Sequence, residues 1–282
     1  MNPTTKLLKA TVDPEREAGR ASERFHRFSS IFALRGKPIL KEKTLLDFGC
    51  GSGHLVKECL LQGVDAYGCD VDFLAATYDQ ALLGELKSKN RAREIETNRM
   101  GSSGADRLPI GTKPDAFRSY RLPFEDCTFD FVVSSEVLEH VANYENVARE
   151  LHRVMKPGAA FLHVFPPKFA LLEGHTNIPF GGGFNPTWWL KVWAHFGLRI
   201  WHHRELTAGQ YVIWARHYLD TCVNYLTKAE LQDVFRDGFD LRFVERDFFR
   251  IRPVCWVFLL PSVYSGLRCR FMYGIRRGER YQ

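Results

Sequence analysis

The sequence predicts an α/β fold, doubly wound around a mostly parallel sheet, and three stretches carry that expectation. Thr44 to Asp72 runs through a short apolar segment, three closely spaced glycines, a helical pattern and a second apolar segment. That order reads as strand, tight loop, helix, strand. Phe129 to Ser135 is apolar and β-branched, as in a strand buried on both faces. A helical pattern from Glu136 to Met155 and another apolar run from Ala159 to Phe165 repeat the alternation that a parallel sheet needs.

The elements follow in order. Charged residues with Phe25, Phe28, Ile31 and Phe32 at helical spacing predict an amphipathic helix over residues 12–35. Thr44 to Phe48 is the first strand, interrupted by Gly49, Gly51 and Gly53 just before a helix opens at His54. Leu55, Val56, Cys59 and Leu60 form that helix's buried face, and Gly63 is its C′ residue. Val64 to Cys69 is the second strand, closed by Asp70, and a helix is expected from Phe73 to Leu86. Residues 87–116 are polar and basic, with turn chemistry at Met100-Gly101-Ser102-Ser103-Gly104, and read as a mobile surface insertion. Lys156-Pro157-Gly158 stops the helix that begins at Glu136. Thr227-Lys228-Ala229-Glu230 is a capping box opening a helix to Phe235, and Leu241–Glu245 and Arg268–Tyr273 are the final strands.

Bulk properties bound the answer. A chain of 282 residues holds one domain of about 200 residues plus insertions. Its 45% hydrophobic and 26% charged content is that of a soluble globular protein, not a disordered one. The net charge of +6 lies partly in Arg268, Arg270, Arg276, Arg277 and Arg280, read as a solvated basic tail. Seven scattered cysteines without a Cys-x-x-Cys pair point to reduced thiols and a cytoplasmic protein. The N-terminus lacks the profile of a secretory signal. Val254 to Leu260, between Pro253 and Pro261, falls short of the roughly 20 apolar residues of a membrane span. Peripheral membrane contact stays open. The chain shows no aromatic and basic stacking platform, so nucleic acid is not an expected partner.

The glycine loop sets the chemistry. Bare N–H groups at a helix N-terminus suit a ligand pressed against the backbone. Asp70, ending the next strand, can accept from both hydroxyls of a ribose. A dinucleotide fingerprint spaces its glycines G-x-G-x-x-G for a pyrophosphate. Here they alternate and are preceded by Asp47, which repels a pyrophosphate but suits a ligand bearing an ammonium group.

In these residues the sequence resembles the class I S-adenosylmethionine-dependent methyltransferases, whose first motif is acid-x-Gly-x-Gly-x-Gly. The resemblance implies a seven-stranded Rossmann-like sheet that ends in an antiparallel pair. It implies that Asp47, Gly49, Cys50, Gly51 and Gly53 cradle the amino-acid part of the cofactor and that Asp70, with Val71, binds the ribose. Ser134 and Ser135, at the end of the fourth strand, are further cofactor contacts. Leu122-Pro123-Phe124 followed by Phe129-Asp130 is another hallmark. Relatives carry an Asp-Ala pair for the adenine amine a few residues earlier, whereas this chain has Arg118-Ser119, leaving Ser119 or backbone groups as substitutes. In such proteins an N-terminal helix often covers the cofactor cleft, and packing against the sheet edge is the alternative. The likeness spans nearly the whole chain, with its specific motifs between Thr44 and Gly158.

Residues 168–226 exceed what the core fold needs and are expected to overhang the cleft as an acceptor lid. They carry Trp188, Trp189, Trp201 and Trp214, which either face a ligand or form a satellite core. Tyr120 to Asp126, Val137 to Val141, Glu173-Gly174-His175 and Trp188-Trp189-Leu190 are similar to type 11-like methyltransferases found with bacterial polysaccharide genes. That implies a saccharide or small-molecule hydroxyl as acceptor. Glu136, Glu139 and His140 are expected on one helix face at the cleft, opposite His175 in the lid. His140, His175 and Glu136 are the candidate bases. Glu136, Glu139, His140 and His175 together resemble the divalent-metal clusters of catechol O-methyltransferases of quinone biosynthesis and small-RNA 2′-O-methyltransferases. The same pattern occurs in relatives without a metal. The rival readings are N- or C-methylation of a small metabolite or lipid, and a cofactor-binding protein without catalysis.

Overall fold

The structure, a computed structural model, describes residues 14–71, 79–95, 121–141, 143–200, 203–247 and 269–278. Its centre is a seven-stranded sheet of β1 (Thr44–Phe48), β2 (Asp65–Asp70), β3 (Ala92–Glu94), β4 (Phe129–Ser135), β5 (Met155–Phe165), β6 (Phe239–Phe243) and β7 (Arg270–Arg276). The order across the sheet is β3-β2-β1-β4-β5-β7-β6. Strands β3 to β5 pair in parallel, and β7 runs antiparallel to both neighbours. The winding direction reverses between β1 and β4, where open α/β sheets place their ligands.

Alternation along the strands explains the two layers. Leu45, Phe131, Val133 and Leu162 face one core with α1 (Pro14–Leu34) and α2 (His54–Leu61), whereas Leu46, Val132 and Phe161 face the other with α4 (Tyr144–Val154) and α7 (Lys228–Phe235). With both faces covered, these strands read as continuous apolar runs. In α1, Phe28, Ile31 and Phe32 are buried as their spacing predicts, and Phe32 packs edge-on to Phe131 with centroids 4.9 Å apart. The helix therefore lies on the sheet's face rather than at its edge. Thr227 caps α7 in the predicted capping box.

Three expectations are corrected. The helix expected over Glu136–Met155 is instead a single 3-10 turn, Leu138–His140, followed by α4, because Glu136 takes φ 59° and Asn143 starts a new helix by accepting from Asn146 N. The 87–116 segment is not wholly an insertion: Lys87 and Ser88 close α3 (Gln80–Ser88), and β3 follows. The rest of that segment, with Met100–Gly104 and the start of the Phe73–Leu86 helix, lies outside the described residues. The basic tail is not merely solvated, since Arg270 and Arg276 stand in β7, Arg270 bonds Glu245 and Arg277 bonds Asp240. Arg268 and Arg280 lie outside the described residues.

The 168–226 segment builds its own small core from α5 (Thr187–His195) and α6 (Ala208–Thr221). Ile178, Leu190, Tyr211, Ala215 and Leu219 are buried there, with Trp189, Trp193 and Trp214 packed against them. Two of the expected tryptophans, and Trp193 besides, thus serve packing. Trp188 stays exposed, and Trp201 lies outside the described residues.

Candidate active site

At the carboxyl end of β1 the chain turns through Gly49, Gly51 and Gly53, at φ 77°, 53° and 81°. All three lie in the left-handed region that side-chain-bearing residues avoid. Space is limited as well, because a Cβ on Gly49 would run into the side chain of Val137. Gly49 N and Cys50 N both donate to Cys69 O, at 2.8 and 3.1 Å, which pins the loop to the end of β2. From there Asp70 reaches back: its carboxylate accepts from Gly51 N at 2.9 Å and from Val71 N at 2.8 Å. Those bonds lock the acid at the strand tip beside the loop. The predicted sequence of loop, helix and acid is therefore one compact unit.

Asp47 is buried, and its pKa is pushed up to about 7 by desolvation, which Asp70 reinforces and Arg24 of α1 opposes. A ligand ammonium beside this carboxylate would restore its charge. The Cys50 thiol is driven up by burial and by the neighbouring acids, so it is not a nucleophile. Ser135 is half-buried where β4 ends. Ser134 is fully enclosed, however, with its Oγ 2.7 Å from His163 Nδ1. It faces the interior of the sheet because strand residues alternate, and it is not presented at the cleft. Ser119 lies outside the described residues.

Beyond β4 the chain places its second constellation. Among the described residues, donor atoms of Glu139, His140 and His175 lie within 4.8 Å of one another, and Glu136 does not join them. Glu136 is exposed in a positive-φ conformation, so it leaves the register that would have aligned it with Glu139. Glu139 is fully buried, and neither carboxylate oxygen has a hydrogen-bond partner among the described residues. Desolvation pushes its pKa up to about 8. A buried carboxyl without a side-chain partner, close to two imidazoles, is a donor set that could hold a cation.

Both imidazoles are oriented from outside the cluster. His140 Nδ1 lies 2.8 Å from Cys222 O, and His175 Nδ1 lies 3.1 Å from Tyr218 OH. The rings stand edge to face, 5.0 Å apart. Asn224 N donates to Glu139 O at 2.6 Å, and Tyr225 OH donates to Glu173 Oε1 at 2.5 Å. The other oxygen of Glu173 accepts from His175 N, Thr176 N and Thr176 Oγ1, fixing the turn that carries His175. Residues 218–225 thus form a strap that holds both halves of the site. No spacing signal marks Tyr218, Cys222, Asn224 or Tyr225, because two of them act through backbone atoms.

A family model described as a methyltransferase domain matches residues 19–244. Norajmaline N-methyltransferase of Rauvolfia serpentina is 28% identical over 57% of this chain and 45% of its own length. A sterol 4-C-methyltransferase of Caenorhabditis elegans is 30% identical over 42% of this chain and 29% of its own. The ubiquinone biosynthesis O-methyltransferase of Pseudomonas paraeruginosa is 31% identical over 42% of each chain. The match spans less than half the length of these relatives. Among solved structures, an S-adenosylmethionine-dependent methyltransferase from Mesorhizobium loti is 16% identical, with 87% of this chain and 96% of that chain covered and a TM-score of 0.47.

Proposed function

Because this chain belongs to the methyltransferase-domain family, we propose that it is a class I S-adenosylmethionine-dependent enzyme that methylates an oxygen of a hydroxyl-bearing acceptor, with a glycan or glycan precursor the best fit. The observation that carries this reading is the Glu139, His140 and His175 cluster. These residues would hold a divalent cation, which would supply Lewis acidity and a template for two neighbouring oxygens such as those of a vicinal diol. Sugars and catechols offer such pairs, whereas a sterol carbon or a tertiary amine does not.

S-adenosylmethionine, when bound, supplies an electrophilic methyl group. Gly49, Gly51 and Gly53 fit it because all three take a positive φ that keeps the loop backbone bare of side chains, with Val137 and Leu86 filling the Cβ positions at Gly49 and Gly53, and Asp70 fits a ribose at the strand tip. Asp47 offers charge to its ammonium group. In-line displacement depends mainly on positioning, so the strap at 218–225 matters for aligning the acceptor side. The acceptor hydroxyl must lose a proton. His140 donates through Nδ1 to Cys222 O, so its single free lone pair, on Nε2, would either ligate the cation, leaving the proton to solvent, or, without a cation, accept that proton.

A second reading keeps the same acceptor without a cation, and the raised pKa of Glu139 favours it, since a neutral carboxyl needs no counter-charge at neutral pH. An acceptor screen with methyl-labelled cofactor, run with and without exhaustive chelation, tests both. Chelation is expected to abolish labelling of diol acceptors and added manganese to restore it. Labelling unaffected by chelation leaves only the metal-free reading, and labelling confined to nitrogen or carbon overturns the oxygen assignment. Calorimetric titration with S-adenosylhomocysteine checks the cofactor side separately, and Asp70→Ala is expected to weaken it strongly.

A further inference from the structure

Among the described residues the outer face of α5 has no partner. Its inner residues Leu190 and Ala194 are buried against α6, whereas Trp188, Lys191, Val192 and His195 stand at i, i+3, i+4 and i+7 and are all exposed. Trp188 is 57% exposed, and Phe196, just past the helix, is 75% exposed. The rings form a continuous row: Phe184 to Trp188 at 5.9 Å, Trp188 to Trp189 at 5.5 Å, Trp189 to Trp193 at 5.3 Å and Trp193 to Phe196 at 6.3 Å. Phe169, also exposed, lies against Gly183, the residue before Phe184. A soluble monomer rarely shows so much contiguous apolar surface without a use for it.

The charge pattern says what covers it. From Thr187 to His195 the helix has no acidic residue, and Lys191 stands exposed on its outer face; Lys168 is paired with Glu230 and Arg199 is turned onto Ala194 O and Leu206 O. Glu173 is buried and saturated with hydrogen bonds. The outer face of α5 is thus aromatic and aliphatic with one exposed lysine and no acid, a composition that favours a layer of anionic lipid headgroups. A sugar would need polar partners around the rings, and Val192 offers none.

We propose that the outer face of α5, with Phe184 and Phe169, is a docking surface for an anionic bilayer. Among the described residues no helix is long and apolar enough to cross a membrane, so the contact is interfacial. The face is fastened to the active-site turn, because Trp189 Nε1 donates to Pro179 O at 2.7 Å and Glu173 N to Ile178 O at 3.0 Å. Combined with the transfer reading, on which this last step rests, the acceptor is a hydroxyl-bearing headgroup or a lipid-linked saccharide presented at the bilayer surface.

Sedimentation of the full chain with vesicles tests the docking without cofactor or acceptor, so its failure leaves the transfer reading standing. Binding is expected with vesicles of equimolar phosphatidylcholine and phosphatidylglycerol, and much less with phosphatidylcholine alone. Trp188→Ser with Phe196→Ser should lower the partition coefficient about tenfold or more, and Lys191→Glu should lower it only for the anionic vesicles. Unchanged titration with S-adenosylhomocysteine shows that the variants are folded. A chain that stays in solution with both vesicle types overturns the proposal, as does a double variant that sediments like the wild type. A wild-type dimer that the double variant dissociates assigns the face to a second copy and overturns it too.

Discussion

His140 Nδ1 sits 2.8 Å from the backbone carbonyl oxygen of Cys222, 82 residues further along the chain. A carbonyl only accepts, so the ring donates there and carries its lone pair on Nε2. The strap thereby fixes the tautomer of a residue on the opposite side of the cleft. This is the outer bond that metal-ligating and general-base histidines share.

Replacing His140 by alanine removes that lone pair and leaves the glycine loop untouched. Turnover on an identified acceptor should fall by about 10² or more, while the affinity for S-adenosylhomocysteine stays within about threefold. A labelled-cofactor assay and calorimetry on the same preparation check the two halves. Equal losses in both would mean that the substitution has disturbed the fold.

Glu139 makes stability depend on pH in the metal-free protein. Its folded pKa of about 8 lies above the ordinary value of 4.5, so folding holds its proton more tightly than the unfolded chain does. Below the unfolded value both states are protonated and nothing is lost. As pH rises from about 4.5 to about 8 only the unfolded state ionises, and stability declines across that window. Glu139→Gln should therefore match the wild type near pH 4 and exceed it in Tm by pH 8 to 9. Manganese should raise the wild-type Tm at pH 8 but not that of the variant. Asp47, raised to about 7, adds a similar decline to both proteins and cancels in their difference.

Two glycines should respond in opposite directions. Gly49 combines φ 77° with Val137 in the space a Cβ would take, so Gly49→Ala should cost roughly 1–3 kcal/mol and weaken S-adenosylhomocysteine at least tenfold. Gly84 lies inside α3 with open space around it, and Gly84→Ala should stabilise by about 0.5–1 kcal/mol. Urea unfolding measures both. A neutral Gly49→Ala would remove the steric case for the loop.

Much of this was legible in the chain because short-range patterns fixed it. The loop at Gly49–Gly53, the acid at Asp70, the buried runs of β4 and β5 and the cap at Thr227 are all set by residues within a few positions of one another. The Glu136–Met155 segment misled because its helical periodicity says nothing of the positive φ at Glu136, which the strand end imposes. The strap was invisible for a similar reason: Cys222 and Asn224 act through backbone groups that any residue would supply. The tryptophans of residues 168–226 could not be divided between packing and exposure until α5 was placed on α6. Trp189 faces that junction, and Trp188, one residue away, faces outward.

Ser134 tests how far the strand pattern reaches into function. Its Oγ lies 2.7 Å from His163 Nδ1, and both residues are wholly buried as direct neighbours across β4 and β5. Desolvation lowers the His163 pKa to about 3, so the pair is neutral and acts as a structural hydrogen bond rather than a catalytic dyad. Ser134→Ala would leave His163 Nδ1 unsatisfied inside the sheet and should cost about 1–3 kcal/mol. Affinity for S-adenosylhomocysteine should stay within about twofold, because the hydroxyl never reaches the cleft. Urea unfolding and calorimetry separate the two effects. A tenfold weaker affinity with unchanged stability would instead put Ser134 in contact with the cofactor and refute its assignment to the core.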